Sequence, residues 1–526
     1  MDVLTEGSPC CSVSSYLLLG AISLGLYFIY TKVVNRESWE KYGVKHISMT
    51  RVIFEDFRKA VTDIILKEGD TVGLNIGGLM LVTRDLDILR NVMVKDFNNF
   101  VDRSILIVSN SPLEKGLFFL NGQDWRRIRH VTTPSFSTGK LKLVTDFIHE
   151  SSLKLSRVLE DHAREGKLVP IKTITGQFTS EIIARTAFSL NTDCLGKADD
   201  EFTNYAKNVF KVNSKFMNLI MLILFQARRL HTFLVKKCKL QMFDSVDGKA
   251  DEYFQSILHR TVEDRKQAEL TGRKTPSDLL HNLLTAKKAG DKMAADKMDD
   301  STEAAGDSWD RIPKTMSYEE LLGQSMLIIF AGFDTTATTL QMCCYLLAKY
   351  PDIQEKVYEE IQRVVKSDHP TYEEASQLTY MEQVINETLR LHPPAPIITR
   401  KAAETRQYNG VTIPKDAGVI IPLDLIMKDP KHFPDPEKFD PERFSDENKA
   451  ARDAMSFVPF GYGPRQCIGM RLAYLELKLG LVQIVRRVRF ELNERTEPTP
   501  DGEINSKFQG FVVLDKPIML EARLRE

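Results

Sequence analysis

The chain has 526 residues, enough for several domains or one large one. Hydrophobic residues make up 43% and charged residues 27%, a globular balance that excludes disordered, collagen-like and polytopic membrane chains. Lys and Arg (71) offset Asp and Glu (72), so no global basic excess points to nucleic acid, and seven cysteines are too sparse for a disulfide scaffold and fit a reducing compartment.

Residues 7–31 carry no charge, with the densest apolar part at 16–30. Counted from near Cys11, the run reaches the roughly 20 residues a spanning helix needs. Acidic Asp2 and Glu6 precede it, and Lys32 and Arg36 follow it. A cleaved secretory signal would carry its basic residues in front. The positive-inside rule instead puts the bulk of the chain in the cytosol. The expected organisation is a membrane anchor over 1–31, a linker and lead-in over 32–68, and one catalytic domain over 69–526.

Residues 69–85 alternate apolar and small side chains around glycines, which reads as a strand pair. Helix-spaced apolar positions recur over 140–165 and 198–270. Inside the second stretch, 216–225 is almost wholly apolar and reads either as a buried helix end or as a second membrane contact. Residues 286–311, rich in Lys, Asp, Ala and Gly, read as a mobile surface linker. Ser317 and Glu320 then form a capping box, and the helical pattern holds to Lys349, where Tyr350-Pro351 stops it. At 1.5 Å per residue such a helix is nearly 50 Å long, and one so apolar has to cross the middle of a domain. Helices follow near 352–366 and 378–391. After them come short strands, a Pro-rich irregular stretch at 429–444, and a final helix from 470 to about 488.

The chemistry concentrates in FGYGPRQCIG, residues 460–469. Cys467 sits just before a helix, whose free N–H groups and dipole favour a thiolate, so a lowered pKa is expected. Gly461, Gly463 and Gly469 let the backbone bend and approach something large and flat. Arg465 adds a cation. A lone cysteine is usually an inert core residue; in these surroundings it reads as the axial ligand of a heme iron.

Phe460, Gly463, Arg465, Cys467 and Gly469 fit the pattern Phe-x-x-Gly-x-Arg-x-Cys-x-Gly, and the segment resembles the heme-binding signature of the cytochrome P-450 family. Glu387-x-x-Arg390, PERF at 441–444, AGFDTT at 331–336 and Trp125-x-x-x-Arg129 fall in the order the family shows, and the resemblance covers roughly 69–526. By itself Glu-x-x-Arg would be a routine helix-surface pair.

The resemblance implies a mainly α fold with a small β subdomain and a long helix crossing over the heme. It makes Cys467 the iron ligand, places Arg103, Trp125, Arg129, Arg400 and Arg465 at the heme propionates, and sets Phe460 and Gly469 in the ligand loop. Glu387, Arg390 and Arg443 become a buried structural network. Asp334 and Thr335 become the acid–alcohol pair that relays protons to dioxygen. Gly332, which costs about 1 kcal/mol in a helix interior, is expected to leave room for a ligand. Thr335 can also bond back to a carbonyl and open the helix locally.

Pocket walls are expected from 105–119, 330–335, 395–398 and 508–513. These are mainly apolar, so the substrate is lipophilic: a steroid, a fatty acid or a xenobiotic. AGFDTT and NVMVKDFNNFVDR look closest to animal microsomal members that oxidise steroids and foreign compounds. Anchored members usually carry a Pro/Gly-rich hinge, whereas 37–67 has no proline.

No dinucleotide loop, P-loop or His-Glu-x-x-His occurs, so electrons have to come from outside. The family's donor is NADPH-cytochrome P-450 reductase, with cytochrome b5 as a second donor, on the cytosolic face of the endoplasmic reticulum. Arg126, Arg127, Lys431 and Arg471 are candidates for its docking face, or else a plain solvated surface. A peroxide-rearranging isomerase or dehydratase and a non-catalytic heme carrier are the rival readings. Retention of Asp334-Thr335 favours oxygen insertion over the first.

Overall fold

The computed structural model describes residues 38–47, 56–76, 78–104, 108–190, 192, 194–197, 200–210, 228–276, 278–296, 315–508 and 510–525. The expected anchor at 1–31, the apolar stretch at 216–225 and residues 297–311 lie outside them.

Trp39 is the first strong fixture. Its ring is wholly buried, and its indole N–H donates to Leu74 O at 2.9 Å. The ring lies where a side chain on Gly73 would have to go, a Cβ there falling 2.0 Å from Trp39 Cγ. Helix α1 (Phe57–Glu68) follows, capped by the Asp56 carboxylate, which accepts from the Arg58 and Lys59 N–H groups. Its Ala60, Val61, Ile64 and Ile65 form one face and pack on Val72, Leu74, Val82 and Ile420 of a sheet. The described part of the 32–68 segment is therefore core, held by an aromatic anchor and an amphipathic helix.

The predicted hairpin is β1 (Thr71–Asn75) and β2 (Leu79–Thr83), paired antiparallel with Gly73 opposite Leu81. Two distant strands complete the sheet: β3 (Ile397–Lys401) and β4 (Gly418–Pro422). β4 runs parallel to β2, and β3 runs antiparallel to β4 at the edge.

The helical part contains α2 (Gly122–Thr132), α3 (Thr138–Arg164), α4 (Ile171–Phe188), α5 (Gly248–Leu270), α6 (Leu279–Asp296), α7 (Tyr318–Lys349), α8 (Pro351–Val364), α9 (Thr379–Leu391) and α10 (Met470–Arg487). The capping box of α7 is formed as expected: Ser317 Oγ accepts from Glu320 N–H, and the Glu320 carboxylate accepts from Ser317 N–H. This helix is buried along most of its length because it joins two cores. Its first half packs with α2, α4, α5 and α6, and its second half with α3, α8, α9 and α10. It is the one helix among the described residues long and apolar enough to cross a membrane, and it is mostly buried inside the protein.

The helix-spaced positions over 198–270 fall, among the described residues, on the short helices Glu201–Lys207 and Arg228–Thr232 and on α5. One expectation needs correction, and one helix was missed. The linker expected over 286–311 is helical as far as Asp296, because Leu279, Leu280 and Leu283 anchor α6 in the core and the Ala/Lys run that follows is a good helix former. Helix α4 was not foreseen. It is buried nearly all round, so its apolar and hydroxyl residues show no one-sided periodicity.

Candidate active site

The loop before α10 is shaped by its glycines. Gly463 has φ +75° and presses on the backbone, a Cβ there falling 2.1 Å from Met93 O, so only glycine fits. Cys467 N–H donates to Phe460 O at 2.9 Å, which closes the loop, while the Phe460 ring leans on Tyr474 at 5.3 Å. Gly469 has an ordinary φ of −87° and precedes the first turn of α10. Its missing side chain leaves free the space beside Cys467 Sγ, a Cβ there lying 4.0 Å from the sulfur.

Cys467 keeps accessible surface although protein encloses it, so its sulfur opens onto an internal space. The expected lowering of its pKa is not met in the chain alone. Burial pushes the thiol up and outweighs the N–H groups of Gly469 and Met470 and the charges of Arg129 and Arg103, which all pull it down.

Around this space the predicted arginines converge. Arg400 is fully buried, and burial pulls its pKa down to about 10. Arg465 falls to about 9, through burial first and the neighbouring Arg400 second. Arg103 is driven well below its usual range by burial and then by Arg400 and Arg465, and burial also lowers Arg129. Arg465 donates to the carbonyls of Val101 and Leu120 and stacks over Trp125 at 4.9 Å. Trp125 therefore acts as the platform under an arginine. Arg103 lies over the Phe118 ring at 4.2 Å. Arg103 Nε and Nη1, Arg400 Nε and Nη2, and Arg465 Nε are buried donors without an acceptor among the described residues. Buried donors left unpaired cost about 1–3 kcal/mol each, so such a cluster asks for an anion.

On α7, Ala331 is accessible and Gly332 and Thr335 partly so, between buried Phe330 and Phe333. Thr335 Oγ1 donates to Ala331 O at 2.7 Å, the back-bond expected of a helix threonine. Gly332 has a packing reason to be small: a Cβ there would meet Ile183 Cδ1 of α4 at 2.4 Å. Asp334 and Thr335 are not brought together. The Asp334 carboxylate accepts from Lys172 Nζ of α4 at 2.6 Å, on the side of Thr338. Sequence reasoning missed Lys172, which belongs to the unforeseen helix.

Glu387, Arg390 and Arg443 do meet. Glu387 accepts from Arg390 Nε at 2.6 Å and Nη2 at 2.9 Å with both side chains wholly buried, and Arg443 Nε lies 3.4 Å from its other flank. Among the wall segments, Leu117 and Phe119 pack with Trp125, Ile329 and Phe330. Ile398 of β3 comes within 3.5 Å of the place a Cβ on Gly461 would take. Val512 N–H donates to Pro394 O at 3.0 Å, which ties the C-terminal strands to that edge. Residues 105–107 lie outside the described part.

Two of the four docking cations are corrected. Arg126 is buried and donates to Asn98 Oδ1 at 2.8 Å. Arg127 is neutralised by Asp124 and Glu320 and braces the start of α7. Lys431 pairs with Asp70 at 3.3 Å, whereas among the described residues Arg471 meets only the hydroxyls of Thr138 and Tyr372.

The family profile described as cytochrome P-450 matches residues 47–522. Cytochrome P-450 3A41 of Mus musculus is 33% identical over 470 residues, covering 88% of this chain and 86% of its own length. Cytochrome P-450 3A14 of Cavia porcellus is 30% identical across 98% of both chains. A lithocholate 6-beta-hydroxylase of Mesocricetus auratus is 29% identical, again across 98% of both.

Proposed function

Because the chain belongs to the cytochrome P-450 family, and so is a heme-thiolate monooxygenase of lipophilic compounds, we propose that Cys467 is its iron ligand and that Arg103, Arg129, Arg400 and Arg465 hold the heme carboxylates over Trp125. The single observation that carries this reading is the set of unpartnered guanidinium nitrogens around the space onto which the Cys467 sulfur opens. A flat group bearing two carboxylates and a thiolate-seeking metal matches those donors in charge and in kind. When bound, the heme supplies the activation of dioxygen and its insertion into carbon.

The chain's own residues do the rest. Gly469 clears the sulfur, and Phe460 closes the loop through its carbonyl. The Ala331–Thr335 face offers a hydroxyl, and Asp334 stands one residue away as an acid. In this reading Thr335 gives up its bond to Ala331 O when it passes a proton on. Gly332 serves chiefly the packing of α4 on α7. The substrates are bulky lipophilic molecules of the steroid kind, in line with the relative named for lithocholate. Electrons come from NADPH-cytochrome P-450 reductase, with cytochrome b5 as a second donor. The protein sits on the cytosolic face of the endoplasmic reticulum, held by residues 1–31.

Thr335→Ala tests the proton role. Heme content and substrate-induced spectral shifts stay as in the parent, while product formed per NADPH falls about ten-fold or more and peroxide rises to match. Unchanged coupling removes Thr335 from the relay. Arg400→Met tests the cradle. Without heme the variant unfolds at a higher urea concentration, by about 1–4 kcal/mol, because an unpaired buried charge is gone. With heme, the cofactor transfers faster to an acceptor globin. A heme-free protein no more stable than the parent sinks that assignment.

A further inference from the structure

A cleft of about 290 Å³ lies where α3, α4 and α6 come together against α7 and α10. Its inner wall is apolar: Ile183 of α4, Ile328 of α7, Leu472 of α10, and Phe136 from the turn before α3. Leu143 and Phe147 of α3 also line it and are 62% and 40% exposed, so its mouth is apolar too. A cleft that runs from the exposed side of α3 to α7, the helix between the two cores, is a pocket for a small molecule and not a shallow seat for a protein surface.

The polar side chains around it have partners elsewhere. Asp278 accepts from Arg265 at 2.5 Å and from Ser189 Oγ at 2.7 Å. Asn282 donates to Ser135 Oγ at 2.8 Å, Arg185 donates to Glu150 at 2.8 Å, and Thr186 Oγ1 bonds back to Ile182 O at 2.7 Å. Among the described residues, no buried side-chain polar atom left without a partner belongs to this lining, in contrast to the arginine cradle. A charged ligand would give up its water here and find nothing to replace it. A dry cavity of about 150 Å³ lined by Leu, Ile and Phe takes benzene, so this one has room for roughly two rings.

The cleft is separate from the site described above, since none of the residues assigned to the heme or to proton transfer lines it. One layer of side chains lies between the two. Ile183 Cδ1 stands 2.4 Å from the place of a Cβ on Gly332, and Phe136 Cε1 stands 3.9 Å from that of a Cβ on Gly469.

We propose that this cleft is a second ligand site, which takes one uncharged lipophilic molecule of about two fused rings while the heme side is occupied by another. The binding is non-covalent and does not depend on the roles proposed for Asp334 and Thr335.

The test uses the full-length holoprotein with the space above its iron filled by a tight azole inhibitor, whose occupancy the heme spectrum reports, and no NADPH. Equilibrium dialysis with radiolabelled naphthalene then finds one saturable equivalent per chain. Naphthalene-2-sulfonate binds about ten-fold or more weakly, because its charge has no partner. Val144→Phe and Ala187→Leu, which add bulk inside the cleft, each weaken naphthalene binding about ten-fold. Leu270→Phe, on an exposed part of α5, leaves it unchanged. In crystals soaked with 2-bromonaphthalene, the anomalous signal of bromine lies between Val144 and Ile328.

If the azole abolishes naphthalene binding, all of it belongs to the heme side and the second site does not exist. Non-saturable uptake means partition onto apolar surface and overturns the inference. So do equal affinity for the sulfonate, binding untouched by both filling variants, and bromine found only above the iron. Where Val144→Phe folds poorly, Ala187→Leu supplies the same reading.

Discussion

Cys467→Ser gives a folded chain that forms no product with NADPH and reductase, and whose reduced carbon monoxide complex lacks the thiolate spectrum. The exchange replaces one atom. The loop does not depend on that atom, because its closing bond runs from the backbone N–H of residue 467 to Phe460 O, and the tight turn belongs to Gly463. Heme-free stability therefore stays within about 0.5 kcal/mol of the parent, the range of substitutions that break no packing or network. What changes is the donor. A serine hydroxyl stays protonated where a metal strips the proton from a thiol, and it is a poor source of the electron density that favours O–O cleavage. The two measurements separate ligand from scaffold: denaturant unfolding of the heme-free chain, and spectrum with turnover of the loaded one. A thiolate spectrum from the serine variant transfers the ligand role to another cysteine. Four further cysteines are described as free thiols, and burial raises the pKa of three of them, Cys194, Cys343 and Cys344.

How much of this was legible in the sequence depends on how local each cause is. The cysteine loop is a local object, with glycines, arginine, cysteine and helix start within ten residues, and the helix begins at Met470 where the sequence puts it. The long helix was legible at both ends because a capping box and a Tyr-Pro stop are local signals. The thiol's pKa was not, since its sign depends on burial by elements far away in sequence. Helix α4 escaped because burial on all sides erases the periodicity that reveals a helix. With it escaped Lys172, the ion-pair partner of Asp334. Arg126 and Arg127 were counted as surface charge, yet Asn98 and Glu320, which claim them, are 28 and 193 residues distant. Gly332 was read from one helix alone, and its packing cause, Ile183, sits on another.

The buried carboxylate at position 387 is the structural counterpart of that lesson, and Glu387→Ala destabilises the protein by about 3–5 kcal/mol, a large part of the about 5–15 kcal/mol that holds a domain together. Glu387 accepts from three donors, Arg390 Nε and Nη2 and the Asp440 N–H at 2.9 Å, and pairs by charge with Arg443, whose Nε lies 3.4 Å away without a hydrogen bond. Arg390 has further acceptors in Met427 O and Lys438 O, both at 3.2 Å, but no second anion among the described residues. Alanine would leave two guanidinium groups facing each other, one of them wholly buried. An exposed pair would lose only about 0.2–1 kcal/mol on the same change.

The damage also travels. Glu387 joins α9 to the Pro441–Phe444 turn through the Asp440 N–H and Arg443, the Phe444 ring sits 4.5 Å from Phe457, and Phe457 leads directly into the loop that carries Cys467. The expected result is a lower urea midpoint together with a smaller fraction of chains holding heme. Glu387→Met combined with Arg390→Leu recovers part of the loss, because the uncompensated charge, and not the missing ion pair, accounts for most of it. If Glu387→Ala alone costs less than about 1 kcal/mol, the pair behaves as a surface pair and the route from α9 to the cysteine loop carries no structural weight.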